Sequence, residues 1–247
     1  MTYLNASRED IWLSLIIPAY NEEERIGTTL DKVLAYLHAK PYSWEVMVVD
    51  DGSSDHTAAV AAAYAPQVKV HSLVRNYGKG AAVRTGMLAT HGRYRVFTDA
   101  DLSTPIEELE KMMAAFQRGA DVVIGSRRLD RSLVKKHQPW YREMIGVMGN
   151  KLVQALLLPG YEDTQCGFKG CTDRAAVEIF SRAVVDGFAF DIEMLYIARQ
   201  LGLVIEQIAV EWYNDERTRV RALRDAFRTL REVFVIRHHH RRHTIQL

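Results

Sequence analysis

Several things this chain lacks narrow its character before any motif is read. Only two of its 247 residues are cysteine. Cys166 and Cys171 make neither a Cys-x-x-Cys pair nor a zinc-type set, which excludes a disulfide framework and suggests a reducing compartment. No run of about 18 apolar residues occurs, so no transmembrane helix is expected, and the longest greasy stretch is Leu152 to Leu158. Met1 to Asp10 lacks a basic segment followed by an apolar one, so no signal peptide is expected. The formal net charge is only +1, which argues against nucleic acid as a whole-chain electrostatic partner. After the first apolar run a dinucleotide-binding fold would carry Gly-x-Gly-x-x-Gly; here stands Pro18-Ala19-Tyr20-Asn21-Glu22, which excludes that reading.

What is present reads as an ordinary globular chain, 48% apolar and 26% charged, with a full core. Trp12 to Ile17 is a nearly continuous apolar run closed by Pro18, as expected of a buried parallel strand. Ile26, Leu30, Val33, Leu34 and Leu37 repeat at helical spacing. Strands are expected at Glu45 to Val49, Val68 to Val74, Tyr94 to Thr98 and Asp121 to Gly125. Helices are expected at Thr57 to Tyr64, Lys79 to Thr90 and Ile106 to Gln117. This alternation predicts an α/β fold, a mostly parallel central sheet flanked by helices. Ligands of such sheets bind at the carboxyl ends of the strands. There the polar clusters fall: Tyr20-Asn21-Glu22, Asp50-Asp51, and Asp99-Ala100-Asp101.

The third cluster carries the sharpest chemistry. Residues two apart on a strand point the same way, so Asp99 and Asp101 would aim two carboxylates at one spot. Such a pair repels unless a proton or cation sits between them. Hard divalent ions accept carboxylate oxygens and keep positions open for water and substrate phosphates. The competing reading is a turn at Asp101, with Ser103 or Thr104 capping a helix that opens at Pro105. Lys79, between two glycines at a helix start, suits a phosphate contact or a solvated turn.

Beyond Leu129 the rhythm changes. Trp140 to Leu158 reads as a helix, Tyr161 to Lys169 as a polar segment. Asp173 to Arg182 and Asp191 to Gln200 read as helices, Leu203 to Val210 as a strand. Val220 to Arg237 is an apolar stripe flanked by arginines, suited either to an anionic membrane surface or to packing on the domain. His238-His239-His240 with His243 reads as a solvated tail rather than a metal tract.

Ile16-Ile17-Pro18-Ala19-Tyr20-Asn21-Glu22, Val48-Val49-Asp50-Asp51-Gly52-Ser53-Ser54-Asp55, Thr98-Asp99-Ala100-Asp101 and Gly125-Ser126-Arg127 come in an order that resembles family 2 glycosyltransferases with the GT-A fold. Asp163 to Lys169 and Phe190-Asp191-Ile192-Glu193 are similar to the dolichyl-phosphate β-glucosyltransferase branch. Eukaryotic members of that branch carry an N-terminal membrane helix, which these residues lack.

The resemblance implies a metal-dependent inverting transferase that moves glucose from UDP-glucose onto a polyprenyl or dolichyl phosphate. Pro18, Ala19, Tyr20, Asn21, Glu22, Asp50, Asp51, Lys79, Asp99 and Ala100 would bind the nucleotide, with Asp51 taking a nucleobase N–H. Asp99 and Asp101 would hold Mg²⁺ or Mn²⁺. Arg127, Arg142, Lys169, Arg217 and Arg219 would meet the acceptor phosphate. A lipid phosphate, with its second pKa near about 6, needs cations rather than a base. Asp163 and Asp191 would orient cations or sugar hydroxyls, or act as a base toward an alcohol; Asp191 could equally be a helix N-cap. Related readings use GDP-mannose, or a non-phosphate lipid or small alcohol acceptor; a further one is a catalytically silent nucleotide-binding protein. A single domain over residues 1–247 is expected, 1–128 forming the nucleotide-sugar half and 129–247 the acceptor half with a basic C-terminal helix. The expected location is cytoplasmic or peripheral at the inner membrane face, with the oligomeric state open, a homodimer included.

Overall fold

The computed structural model describes residues 11–136, 140–215 and 231–240. β1 (Leu13–Ala19) is buried along its whole length, because parallel neighbours flank it on both sides. The sequence closes this strand at Pro18; the structure carries it on to Ala19. Pairing with β2 (Trp44–Asp50) continues to Ala19 opposite Asp50, while the ladder to β4 (Tyr94–Thr98) ends at Ile16. The proline thus sits where one side of the strand is already unpaired, a position that tolerates its missing N–H.

β3 (Val68–Ser72), β5 (Val122–Ser126), β7 (Phe168–Thr172) and β8 (Ile205–Ala209) complete a seven-stranded sheet in the order β3-β2-β1-β4-β7-β5-β8. All neighbours are parallel except β7, which runs antiparallel to both β4 and β5. Hydrophobic periodicity does not reveal β7, whose first residues, Phe168 and Lys169, fall in the polar segment expected at Tyr161 to Lys169. A buried lysine and a glycine, Lys169 and Gly170, interrupt the apolar run that would have announced a strand. Its reversed direction matters for the site: its N-terminal residues lie at the edge where its neighbours end. A small second sheet pairs β6 (Val134–Lys136) with β9 (Trp212–Tyr213).

Alternate strand residues feed two apolar layers, as the pleat requires. Leu15, Ile17, Val48 and Val96 pack with Ile26, Leu30 and Leu37 of α1 (Ile26–His38) and with Met112 and Phe116 of α4 (Leu109–Gln117). Ile16, Val49, Phe97 and Ile124 pack with Ala82 and Met87, with Ile192 and Leu195, and with Val233 and Ile236. Those partners come from α3 (Lys79–Ala89), from α7 (Phe190–Gln200), and from the helical residues 231–240. α2 (Thr57–Ala62), α5 (Trp140–Leu156) and α6 (Asp173–Phe180) complete the described helices. None of the described helices is long and apolar enough to cross a membrane.

Candidate active site

β4 ends in a tight turn built from local hydrogen bonds. Leu102 N donates to the Asp99 carbonyl at 3.1 Å, Ser103 N donates to Asp101 Oδ1 at 2.9 Å, and Thr29 Oγ1 of α1 donates to the Ala100 carbonyl at 2.5 Å. Asp101 therefore shapes the turn while its carboxyl stays close enough to Asp99 to feel that residue's charge. The expected cap at Ser103 or Thr104 is absent: Pro105 opens a short 3₁₀ turn with no side-chain cap. Burial, then the Asp99 charge, pushes the Asp101 carboxyl above its usual range, as expected where two acids share one spot.

A cation already stands there. Lys79 Nζ lies 2.5 Å from Asp99 Oδ1 and over the Phe190 ring, 5.8 Å from its centroid. Burial works against the Lys79 ammonium, but Asp99 and then Asp191 outweigh it, and its pKa is raised. Asp51 holds this lysine's turn in place. Its two oxygens accept Tyr77 N and Gly78 N, each at 2.9 Å, and Gly78 takes a φ of 122° that only glycine adopts readily. Asp51 is 3% exposed, and its carboxylate, expected to read a nucleobase, engages both amides of the turn. Burial raises its pKa, and the two amides counter that.

The loops after β1 and β2 are knitted together. Asp51 N donates to Ala19 O, Asn21 N to Ser53 Oγ and Glu22 N to Thr57 Oγ1, while Ser53 N donates to Asp50 Oδ1. Pro18 and Ala19 end β1, and Tyr20 beyond them is exposed. Glu22 is engaged by the Arg25 guanidinium, which also reaches Asp215 Oδ2 at 2.9 Å and is favoured by the nearby Asp101 charge. Arg25 escaped the sequence reading; its spacing of three from Glu22 was the available signal.

Beside β5, Arg127 and Asp163 form a fork. Nε and Nη2 of Arg127 each donate to a different Asp163 oxygen at 2.7 Å, and Arg127 N adds a third bond at 3.0 Å. Burial would raise the Asp163 pKa, but Arg127 holds it below the usual range. Three hydrogen bonds from one residue fix how this carboxylate and the Arg127 guanidinium face each other. The Arg127 guanidinium also faces the Trp212 ring at 5.4 Å.

Lys169 and Asp191 form a second, deeper pair at 2.5 Å, with Lys169 Nζ also donating to the Cys166 carbonyl. Lys169 is fully buried, which puts it beneath the site and corrects the expectation that it meets an acceptor phosphate directly. Asp191 lies in the first turn of α7 but is not its cap, which is Ala189. Burial raises its pKa despite Lys169 and Lys79. Gly167, also missed from sequence, presses on Asp99: a Cβ there would stand 1.9 Å from Asp99 Oδ2.

Arg142 belongs to α5, its side chain lying outside the described residues, as do Arg217 and Arg219 altogether. His240, expected in a solvated tail, instead has Nε2 2.8 Å from Glu193 Oε1. Among the described residues no group of three or more His, Cys, Asp or Glu side chains is arranged to hold a metal. Two carboxylates at one strand end, one already drawing in an ammonium, still fit a hard divalent ion whose other positions go to water and phosphate oxygens.

A sequence profile described as glycosyl transferase family 2 matches residues 14–179. The chain is 35% identical to the dolichyl-phosphate beta-glucosyltransferase of Drosophila melanogaster, over 91% of this chain and 74% of the fly protein. It is 38% identical to the mouse protein of that name, over 83% of this chain and 68% of the mouse protein. Among solved structures, mannosyl-3-phosphoglycerate synthase from Rubrobacter xylanophilus superposes with a TM-score of 0.71 at 21% identity, covering 96% of this chain and 76% of that one. Glucosyl-3-phosphoglycerate synthase from Mycobacterium tuberculosis, solved with Mn²⁺, UDP and phosphoglyceric acid, gives 0.69 at 22% identity, covering 93% and 78%.

Proposed function

The chain belongs to glycosyl transferase family 2 and has the GT-A fold, and from that premise we propose that it moves glucose from UDP-glucose onto the phosphate of a polyprenyl lipid such as dolichyl phosphate. The observation that carries this reading is the convergence of Asp99, Asp101 and Lys79 at the end of β4, beside the Arg127–Asp163 fork. Similarity to enzymes named for dolichyl phosphate and glucose supports the acceptor and the sugar.

In this reading Asp99 and Asp101 would hold Mg²⁺ or Mn²⁺. The ion, when bound, offsets the charge of the departing diphosphate. Lys79 leaves Asp99 and donates to a phosphate oxygen, an exchange of one anionic partner for another. The loops at Tyr20 to Glu22 and Asp50 border the nucleoside. Arg127, oriented by Asp163, offers its guanidinium to the acceptor phosphate, whose oxygen attacks the anomeric carbon from the face opposite the diphosphate and inverts it. No proton need leave that oxygen, so Asp191 has the part of a hydrogen-bond acceptor for a sugar hydroxyl. In this division residues 1–128 supply the nucleotide-sugar side and 129–247 the acceptor side, Arg127 at the boundary reaching across to the acceptor phosphate, with the enzyme working at a membrane surface.

The test is transfer of radiolabelled glucose from UDP-glucose to dolichyl phosphate in detergent, with and without Mn²⁺ or Mg²⁺. Metal-dependent label in the organic phase is expected. Label delivered from GDP-mannose instead would replace the donor, and label in neither case would overturn the reading.

A further inference from the structure

Glu193 is completely buried, and nothing in the proposed reaction employs it. It follows Asp191 by two residues on α7. Its carboxylate accepts Val184 N at 3.0 Å and Val185 N at 2.8 Å, and its Oε1 lies 2.8 Å from His240 Nε2. His240 closes the described part of the helix 231–240, whose Val233 and Ile236 are buried in the core. From that same helix Glu232 Oε2 accepts Ala189 N at 3.2 Å. Two carboxylates, one on each helix, thus fasten the segment 184–189 between them.

The other side of this segment carries the start of α3. Ala81 N donates to the Asp186 carbonyl at 3.3 Å, and Arg84 Nη2 to Asp186 Oδ1 at 2.6 Å. The two glycines around Lys79 lie so close to it that a Cβ on Gly78 would stand 2.4 Å from Asp186 O, and one on Gly80 2.5 Å from Val185 O. Lys79 therefore projects toward Asp99 from a base that Glu193 and His240 hold together.

We propose that Glu193 is a positioning residue that couples the seating of the C-terminal helix to the placement of Lys79. A buried carboxylate with several donors fixes its partners' geometry, because releasing any one of them leaves a desolvated charge short of a bond. Loosening His240 then loosens segment 184–189, and with it the aim of Lys79 at a donor diphosphate. The identity of that ligand rests on the function proposed above; the mechanical coupling does not.

The test uses the full chain with His240→Ala, His240→Gln, Lys79→Ala and the His240→Ala/Lys79→Ala pair. Amide exchange over residues 77–89, without ligand, should quicken in His240→Ala and return toward wild type in His240→Gln, whose amide can still donate to Glu193. Unchanged exchange would overturn the coupling. UDP binding with Mn²⁺, by calorimetry, should weaken roughly fivefold in His240→Ala and not at all further in the Lys79→Ala background, the non-additivity of residues acting through one another. Equal weakening in both backgrounds would mean a merely structural role. A wild-type chain that ignores UDP would count against the donor assignment, leaving the exchange result to decide the coupling. Should His240→Ala fail to fold, Glu232→Ala removes the acceptor of Ala189 N and loosens the same segment.

Discussion

Lys79 Nζ and Asp99 Oδ1 lie 2.5 Å apart, so an ammonium from the start of α3 occupies the carboxylate at the end of β4. In the proposed reaction a divalent ion and this lysine compete for that one oxygen. Lys79→Ala should let Mn²⁺ alone raise the melting temperature more than it does in wild type, because no internal cation need be displaced. UDP with Mn²⁺ should give the smaller rise in the variant, since a phosphate contact is gone. Equal shifts in both experiments would sink the exchange.

Asp101 is half-buried beside a second acid, so its charge is a local burden on the fold. Asp101→Asn keeps the oxygen that receives Ser103 N and removes that burden. The melting temperature should hold or rise while transfer of label to lipid falls by about a hundred- to a thousandfold. A variant retaining full transfer would remove Asp101 from the reaction.

Gly167→Ala should behave like the loss of Asp99. The added methyl would stand 1.9 Å from Asp99 Oδ2, so the carboxylate must turn away. Activity should collapse with Mn²⁺ binding, while circular dichroism keeps its native signal.

Arg127 holds the Asp163 pKa low, so this pair stabilises the fold at any pH above the ordinary carboxylate value of about 4. That contribution is lost as pH falls through the lowered, folded-state pKa. Asp163→Asn should cost about 3 kcal/mol at neutral pH, the scale for breaking a buried pair. The gap between variant and wild-type urea midpoints should narrow in acid; a gap independent of pH would argue against the pair.

Lys169→Met leaves the buried Asp191 charge without its partner and should destabilise the chain by about 3–5 kcal/mol. Adding Asp191→Leu should recover most of the stability and none of the transfer. Recovery of transfer would show that Asp191 is only a structural anchor.

The local pattern of residues was enough to place the acids. Apolar runs ending in Asp50-Asp51 and Asp99-Ala100-Asp101 specify parallel strands with carboxylates at their tips, because strand periodicity and the alternation with helices are encoded within a few neighbouring residues. What those acids touch lay beyond such reading. Asp51 turns inward to Tyr77 and Gly78, Asp163 to Arg127, and Asp191 to Lys169, partners separated by 22 to 36 positions. β7 escaped notice for the same reason: a lysine reads as solvent-facing until the fold supplies the buried carboxylate that pairs with it. Sequence thus fixes which charges the chain carries to one edge of the sheet. Tertiary packing decides which of them stay available to a ligand, since burial forces each charge to find its counter-charge inside the protein.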